Sequence, residues 1–252
     1  GTETGLFVSW DDGKSWKKMQ LNLPVVPLND LIIQDNDLVA ATAGRSFWIL
    51  DDLSALQQGE GVLSGNELKI FTPKDQYRIL GNSIEQDIPG LGKNPKQGIT
   101  FDYYLPEAIP DSVTITLKVF DENETLIRTY ENQLPENFSS WPGGPPKPEL
   151  LPGDKGINRF TWDFRRASLP AVNNVFVYGD YRGSRVAPGA YKLRLILEDD
   201  SVETTANLLP DPEIDATVLD FLEQQKFLVE VEDLLHEIHE SVNQMRSAKK
   251  QL

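Results

Sequence analysis

The sequence predicts a mainly β chain that ends in one amphipathic helix, and three observations carry the prediction. Ile99, Phe101, Tyr103 and Leu105 recur at every second position, as do Val113, Ile115, Leu117 and Val119 and later Tyr191, Leu193, Leu195 and Leu197. A period of two is that of a strand with one buried face. Turn residues separate these runs, drawn from 18 glycines and 17 prolines in 252 residues. After Pro212 the apolar spacing changes to three and four, the period of a helix.

The first 56 residues read as short strands in a meander. Leu6, Phe7 and Val8 lead into Ser9-Trp-Asp-Asp-Gly-Lys-Ser-Trp16. There Asp11 can hydrogen-bond turn amides, Gly13 permits a positive φ, and Trp16 offers an apolar face to cap the turn. Strands are expected over 29–34, 38–42 and 46–50, separated by Asp35-Asn-Asp37 and Gly44 and closed by Asp51-Asp52. A polar linker follows over 57–70, and residues 74–98 read as an irregular strap rich in Gly, Pro and Asn.

Over 71–209 the alternating runs argue for an antiparallel β-sandwich. Asp121-Glu-Asn-Glu124 is a turn into a strand at 125–130, and Phe160, Trp162 and Phe164 form another inward row. The proline-rich stretch from Trp141 to Asp154 is a surface loop, because proline cannot donate to a ladder. Over 210–252, Phe221, Gln224, Leu228, Val231, Leu235, Ile238, Val242 and Met245 form a helical stripe widened by Leu222, Phe227 and Leu234. A helix of roughly seven turns is expected, with its stripe covered by the sandwich, another helix or a second copy.

Ser9, Asp11, Gly13, Ser15 and Trp16 match Ser-x-Asp-x-Gly-x-(Ser/Thr)-Trp, the pattern of an Asp box. The motif resembles the hairpins that close blades of sialidase-type and sortilin-type β-propellers. Leu21-Asn-Leu-Pro24, Asn29-Asp-Leu31, Asn36-Asp-Leu-Val39, Gly44-Arg-Ser-Phe-Trp-Ile-Leu-Asp-Asp52 and Phe101-Asp-Tyr-Tyr-Leu-Pro106 extend the likeness. Arg159-Phe-Thr-Trp-Asp163, Ala187-Pro-Gly-Ala-Tyr191 and Asp211-Pro212 carry it over nearly the whole chain. Together they resemble the C-terminal region of large bacterial BNR-repeat propeller proteins, often labelled sortilin-like or glycosyl hydrolases. The resemblance implies partial propeller blades over 1–56, an immunoglobulin- or fibronectin-like sandwich over 71–209, a helical segment over 210–252, and further chain beyond both ends. Ala43 departs from it, since such proteins often carry a histidine before Gly-Arg.

With 24 Lys and Arg against 39 Asp and Glu, the net charge is −15, which repels a phosphate backbone or an anionic bilayer. Nucleic acid is therefore not an expected partner. No run approaches the ~20 apolar residues of a membrane span. The absence of cysteine excludes disulfides, thiol nucleophiles and Cys-ligated zinc.

Asp11-Asp12, Asp51-Asp52 and Asp199-Asp200 are candidate glycosidase carboxylates, but neighbours on a strand point to opposite faces and cannot converge on one sugar. Arg45 either faces the channel of a complete propeller or pairs with Asp51 or Asp52. His236 and His239 lie one helical turn apart near Glu232, Glu237 and Glu240, yet lack the His-Glu-x-x-His arrangement and read as solvated helix residues. Trp141, Tyr104, Tyr178 and Tyr181 are candidates for stacking on sugars. Arg182 and Arg185, in the loop from Gly179, suffice for a small anion or a carboxylated glycan. Trp141 reads more simply as a pin for the proline loop. Asn123 and Asn137 begin glycosylation sequons, of little meaning in a bacterial protein.

The expected ligand-binding set is thus Arg45, Trp141, Tyr181, Arg182 and Arg185. The helix interface set is Phe221, Leu228, Val231, Leu235, Ile238 and Val242. No catalytic residue, cofactor or metal is expected. The sequence is read as a non-catalytic structural and interaction part of a secreted, periplasmic or cell-surface protein, with a protein or glycan partner at the envelope and homodimerisation through the helix. Two alternatives stay open: part of a glycoside hydrolase whose centre lies in other blades, and a carbohydrate-binding module using the sandwich loops.

Overall fold

The computed structural model describes residues 1–59, 65–79, 94–136 and 138–251. Parts of the expected linker and strap, and the Asn137 sequon, lie outside them. The chain is mainly β with one long C-terminal helix, and it divides into two compact units, Gly1–Gly65 and Asn66–Leu252.

In the first unit β1 (Phe7–Val8) pairs antiparallel with β2 (Lys17–Lys18). β3 (Leu28–Gln34), β4 (Asp37–Thr42) and β5 (Phe47–Leu50) form a separate three-stranded antiparallel meander, followed by the short helix α1 (Ser54–Gln58). Asp35 and Asn36 carry φ of 49° and 67°, so both central residues of the β3–β4 turn are left-handed, as a two-residue hairpin of right-handed twist demands. The Asn36 amide donates to Asp52 Oδ1 and Ser54 Oγ, tying that turn to the start of α1. The register aligns Ile32, Val39 and Ile49 on one face and Ile33, Leu38 and Leu50 on the other. Both faces are therefore apolar, and Ile33, Phe47 and Ile49 are 63%, 72% and 60% exposed.

Among its described residues the second unit holds two sheets. β10 (Leu126–Glu131), β9 (Ile115–Phe120), β12 (Gly189–Leu197), β13 (Asp200–Leu209) and β7 (Gln76–Tyr77) lie side by side in that order, with only the β13–β7 pairing parallel. β11 (Gly156–Trp162), β8 (Ile99–Leu105) and β6 (Lys69–Ile70) form the other. Side chains of both sheets meet in one core. Phe101, Tyr103, Phe160 and Trp162 come from the smaller sheet, and Leu117, Val119, Leu193 and Leu195 from the larger. Trp162 meets Tyr191 edge-on at 5.0 Å, and Phe160 meets Tyr130 at 4.8 Å, which joins the sheets through geometries that aromatic quadrupoles favour. Asp102, buried on β8, receives Arg159 of β11 in a two-pronged pair at 2.9 Å on each oxygen, the geometry that compensates a buried carboxylate.

Two details depart from the alternation. Val113 precedes β9 and is only half-buried, because its amide closes a turn onto Pro110 and its carbonyl accepts from Asn132. β13, ten residues long, was not expected. Its residues from Asp200 to Leu208 pair with β12 through a tight turn at Glu198, whose φ is 52°.

The helix α2 (Val218–Gln251) starts with a reciprocal cap: Thr217 accepts from the Asp220 amide, and the Asp220 carboxylate accepts from the Thr217 amide and hydroxyl. No helix among the described residues is long and apolar enough to cross a membrane.

Candidate functional site

In the Asp-box hairpin the motif's polar atoms serve the turn. Asp11 Oδ1 accepts from the Ser15 amide at 2.8 Å, and Asp11 Oδ2 accepts from the Ser15 hydroxyl at 2.6 Å. Ser9 Oγ donates to Asp11 and accepts from the Gly13 amide. Asp12 and Gly13, at φ of 55° and 82°, reverse the chain, and the Trp16 indole donates to the Gly13 carbonyl. Hydrogen bonds from the Ser15 side chain and amide lower the Asp11 carboxyl to about 2.

The other constellation lies where residues 164–169 run beside 181–186. Phe164 leaves β11 at a φ of 59°, and the two segments then pair antiparallel. The Val186 amide donates to the Phe164 carbonyl at 2.7 Å and the Arg166 amide to the Ser184 carbonyl at 3.0 Å. Arg165 and Arg185 sit between these two bonds as a non-hydrogen-bonded pair. That is the pairing in which Cα atoms come within about 4.5 Å and side chains leave on one face. Gly183 permits the approach, since a Cβ there would lie 2.4 Å from the Ala167 carbonyl oxygen.

Positive charge accumulates around this ladder. Arg165 donates to the Gly183 carbonyl and lies 3.8 Å from Asp163, while Arg182 pairs with Asp180. Arg78, buried just beyond β7, donates to the Val186 carbonyl at 2.8 Å and to Gln224, and its guanidinium stacks 5.0 Å from the Phe221 ring. Burial first, then the like charge of Arg185, holds Arg78 below its ordinary value. Burial, then Arg182 and Arg185, does the same to Arg165. Arg185 itself makes no hydrogen bond or ion pair among the described residues.

The remaining sequence candidates fall in different places. Tyr181 is 2% exposed, with its ring 5.7 Å from that of His239, and Tyr104 is buried, so neither presents a face to a sugar. Tyr178, fully exposed, pairs edge-on with Phe176, which the sequence reading did not single out. The Trp141 indole donates to the Val175 carbonyl at 2.9 Å. Arg45 is exposed and makes no ion pair with Asp51 or Asp52. Asp52 instead accepts from Asn36 and the Ser54 amide. His236 is exposed beside Glu240, but His239 is not solvated as expected, because its Nδ1 bonds the Pro170 carbonyl at 2.8 Å. Among the described residues no three His, Asp or Glu side chains are grouped to hold a metal.

The helix meets the loops through a face rotated from the expected stripe. Gln225 binds the Ala187 amide, Glu232 takes Arg166 at 2.9 Å and the Ser184 amide, and Asn243 and Arg246 donate to the carbonyls of Ala171 and Asn173. Phe221 is buried and Leu228, Val231 and Val242 are half-buried, whereas Leu235 and Ile238 stay exposed. These polar contacts fix the rotation, and apolar periodicity cannot report them. Phe227, Leu234, Ile238 and Met245 are left more than half exposed.

No family model, curated protein or solved structure matches the chain.

Proposed function

We propose that the chain is a non-catalytic structural and interaction module, the C-terminal part of a secreted or envelope-associated propeller protein of the BNR type. The β3–β4–β5 sheet carries this reading: it is apolar on both faces and belongs to the same unit as a turn whose Asp-box groups are consumed internally. A sheet of that kind needs a layer against each face, which stacked propeller blades supply. The two sheets sharing the Trp162 core are read as an immunoglobulin-like sandwich. Glycoside hydrolysis by a longer protein would then reside in other blades. The chain assayed against aryl glycosides and soluble polysaccharides should turn over none of them, and hydrolysis by purified chain would overturn the reading.

The exposed row on α2 supplies the interaction. Gln224, Phe227, Val231, Leu234, Ile238, Ser241 and Met245 follow a strict three-four spacing, the seam of a two-stranded coiled coil. Its occupant is a second copy. Antiparallel pairing sets Phe227 against Ile238 and Leu234 against Val231, and it brings Glu230 of each copy toward Glu237 of the other along the flank of the seam. Like charges at these flanking positions repel, which keeps the dimer weak.

A further inference from the structure

Arg165 and Arg185 oppose each other directly across a ladder, and like charges so placed cost stability unless an anion lies between them. The cost is unusual here because the chain as a whole is acidic, with a net charge of −15, and carboxylates to neutralise the pair are abundant in its composition. Yet Asp180 pairs with Arg182 and attracts Arg165 only at longer range, Glu232 is held by Arg166, and Asp163, which also accepts from Tyr130, lies 3.8 Å from Arg165, so none of these carboxylates pairs with Arg185. The nearby Arg78 is buried against neutral acceptors, the Val186 carbonyl and the Gln224 amide oxygen. The Arg165 side chain is 20% exposed, so the cluster retains a path to solvent.

We propose that Arg165 and Arg185 form a binding site for an oxyanion group, a carboxylate or a phosphate, bridging the two guanidiniums. Each guanidinium presents a planar fork of donors that matches two oxygens sharing one charge. An acidic sugar and free inorganic phosphate offer this same chemistry. The site is independent of the propeller reading, because it lies wholly within the 66–252 unit.

The test titrates the full chain with inorganic phosphate, glucuronate and glucose at ionic strength held constant with sodium chloride, following the thermal midpoint and the arginine Nε–H NMR signals. At least one of the two anions should raise the midpoint and shift the Arg165 and Arg185 signals, and glucose should do neither. A response to glucuronate alone assigns an acidic sugar, and a response to phosphate alone assigns a phosphate group. Arg185→Gln should raise the midpoint of the ligand-free protein by relieving repulsion, while weakening anion binding about tenfold or more. Arg185→Lys keeps the charge and loses the fork, so it should weaken binding without that stabilisation. Lys18→Gln, at an exposed position of the other unit, should change neither. If neither anion acts beyond the sodium chloride control, or if Arg185→Gln lowers the ligand-free midpoint, the proposal fails.

Discussion

Glu232, in the middle of α2, accepts the Arg166 guanidinium on one carboxylate oxygen at 2.9 Å and the Ser184 amide on the other. One side chain therefore clamps both strands of the irregular ladder that carries Arg165 and Arg185. Its side chain and that of Arg166 are 14% and 23% exposed, so the pair is held mostly out of water.

Removing that clamp should release the helix before it unfolds the sheets. Glu232→Ala leaves Arg166 without its carboxylate and should cost roughly 2–3 kcal/mol. Amide hydrogen exchange should show the loss, with protection falling along α2 and at Ser184 while β8, β9 and β12 stay protected.

The core of the larger unit should depend on Trp162, which is fully buried and touches Phe164 and Tyr191. Trp162→Ala should lower stability by roughly 3–5 kcal/mol in denaturant unfolding, since no neighbouring side chain can fill so large a void. Ile157→Ala, at a position 40% exposed on the same strand β11, should cost far less.

The Asp-box turn should resist acid. Asp11 has its carboxyl lowered from 3.8 to about 2 by the Ser15 and Ser9 hydrogen bonds. A depressed carboxyl stabilises the fold fully above its unfolded value and loses that contribution as pH falls toward its folded value. The hairpin should therefore stay intact at pH 5 and loosen progressively from about pH 4 to pH 2. A carboxyl-carbon NMR titration of Asp11 should show its midpoint near 2. Asp11→Asn should flatten the acid response of the Gly13 and Ser15 amides without altering anion binding in the other unit.

Dimerisation through α2 should be concentration-dependent in sedimentation equilibrium. Ile238→Glu should abolish it by placing a charge in the seam, whereas Glu237→Gln should tighten it severalfold by removing the repulsion with Glu230 of the other copy. Leu228→Glu acts on the docked face instead and should loosen the helix from its own unit. A monomer at every concentration accessible, with Phe227 and Leu234 still exposed, contradicts the pairing.

Much of the architecture was legible because burial on one face writes a period of two into the chain. The rows around Phe101, Leu117, Phe160 and Leu193 lie in the core that joins the two sheets. β13 was not legible as a strand, since its outward positions are Ser, Glu, Thr and Asn and its apolar set is reduced to Val202, Ala206 and Leu208 around Thr204. The helix was legible and its orientation was not. The contacts that orient it are Gln225, Glu232, His239 and Asn243, polar residues whose spacing is hidden beside the stronger signal of Leu235 and Ile238. Arg182 and Arg185 stood out as charges in a turn-rich loop. Arg165 and Arg78 did not, because only the ladder and the end of β7 bring them there.

The claim that the first unit belongs to a stacked-blade assembly is tested most directly by carbene footprinting of the chain alone and of the longer gene product that the Asp-box resemblance implies. In the chain alone Ile32, Ile33, Phe47 and Ile49 should label strongly, as their exposure dictates. In the longer protein all four should become protected, as adjoining blades cover both faces of the β3–β4–β5 sheet. Equal labelling of these four residues in both proteins would contradict the account.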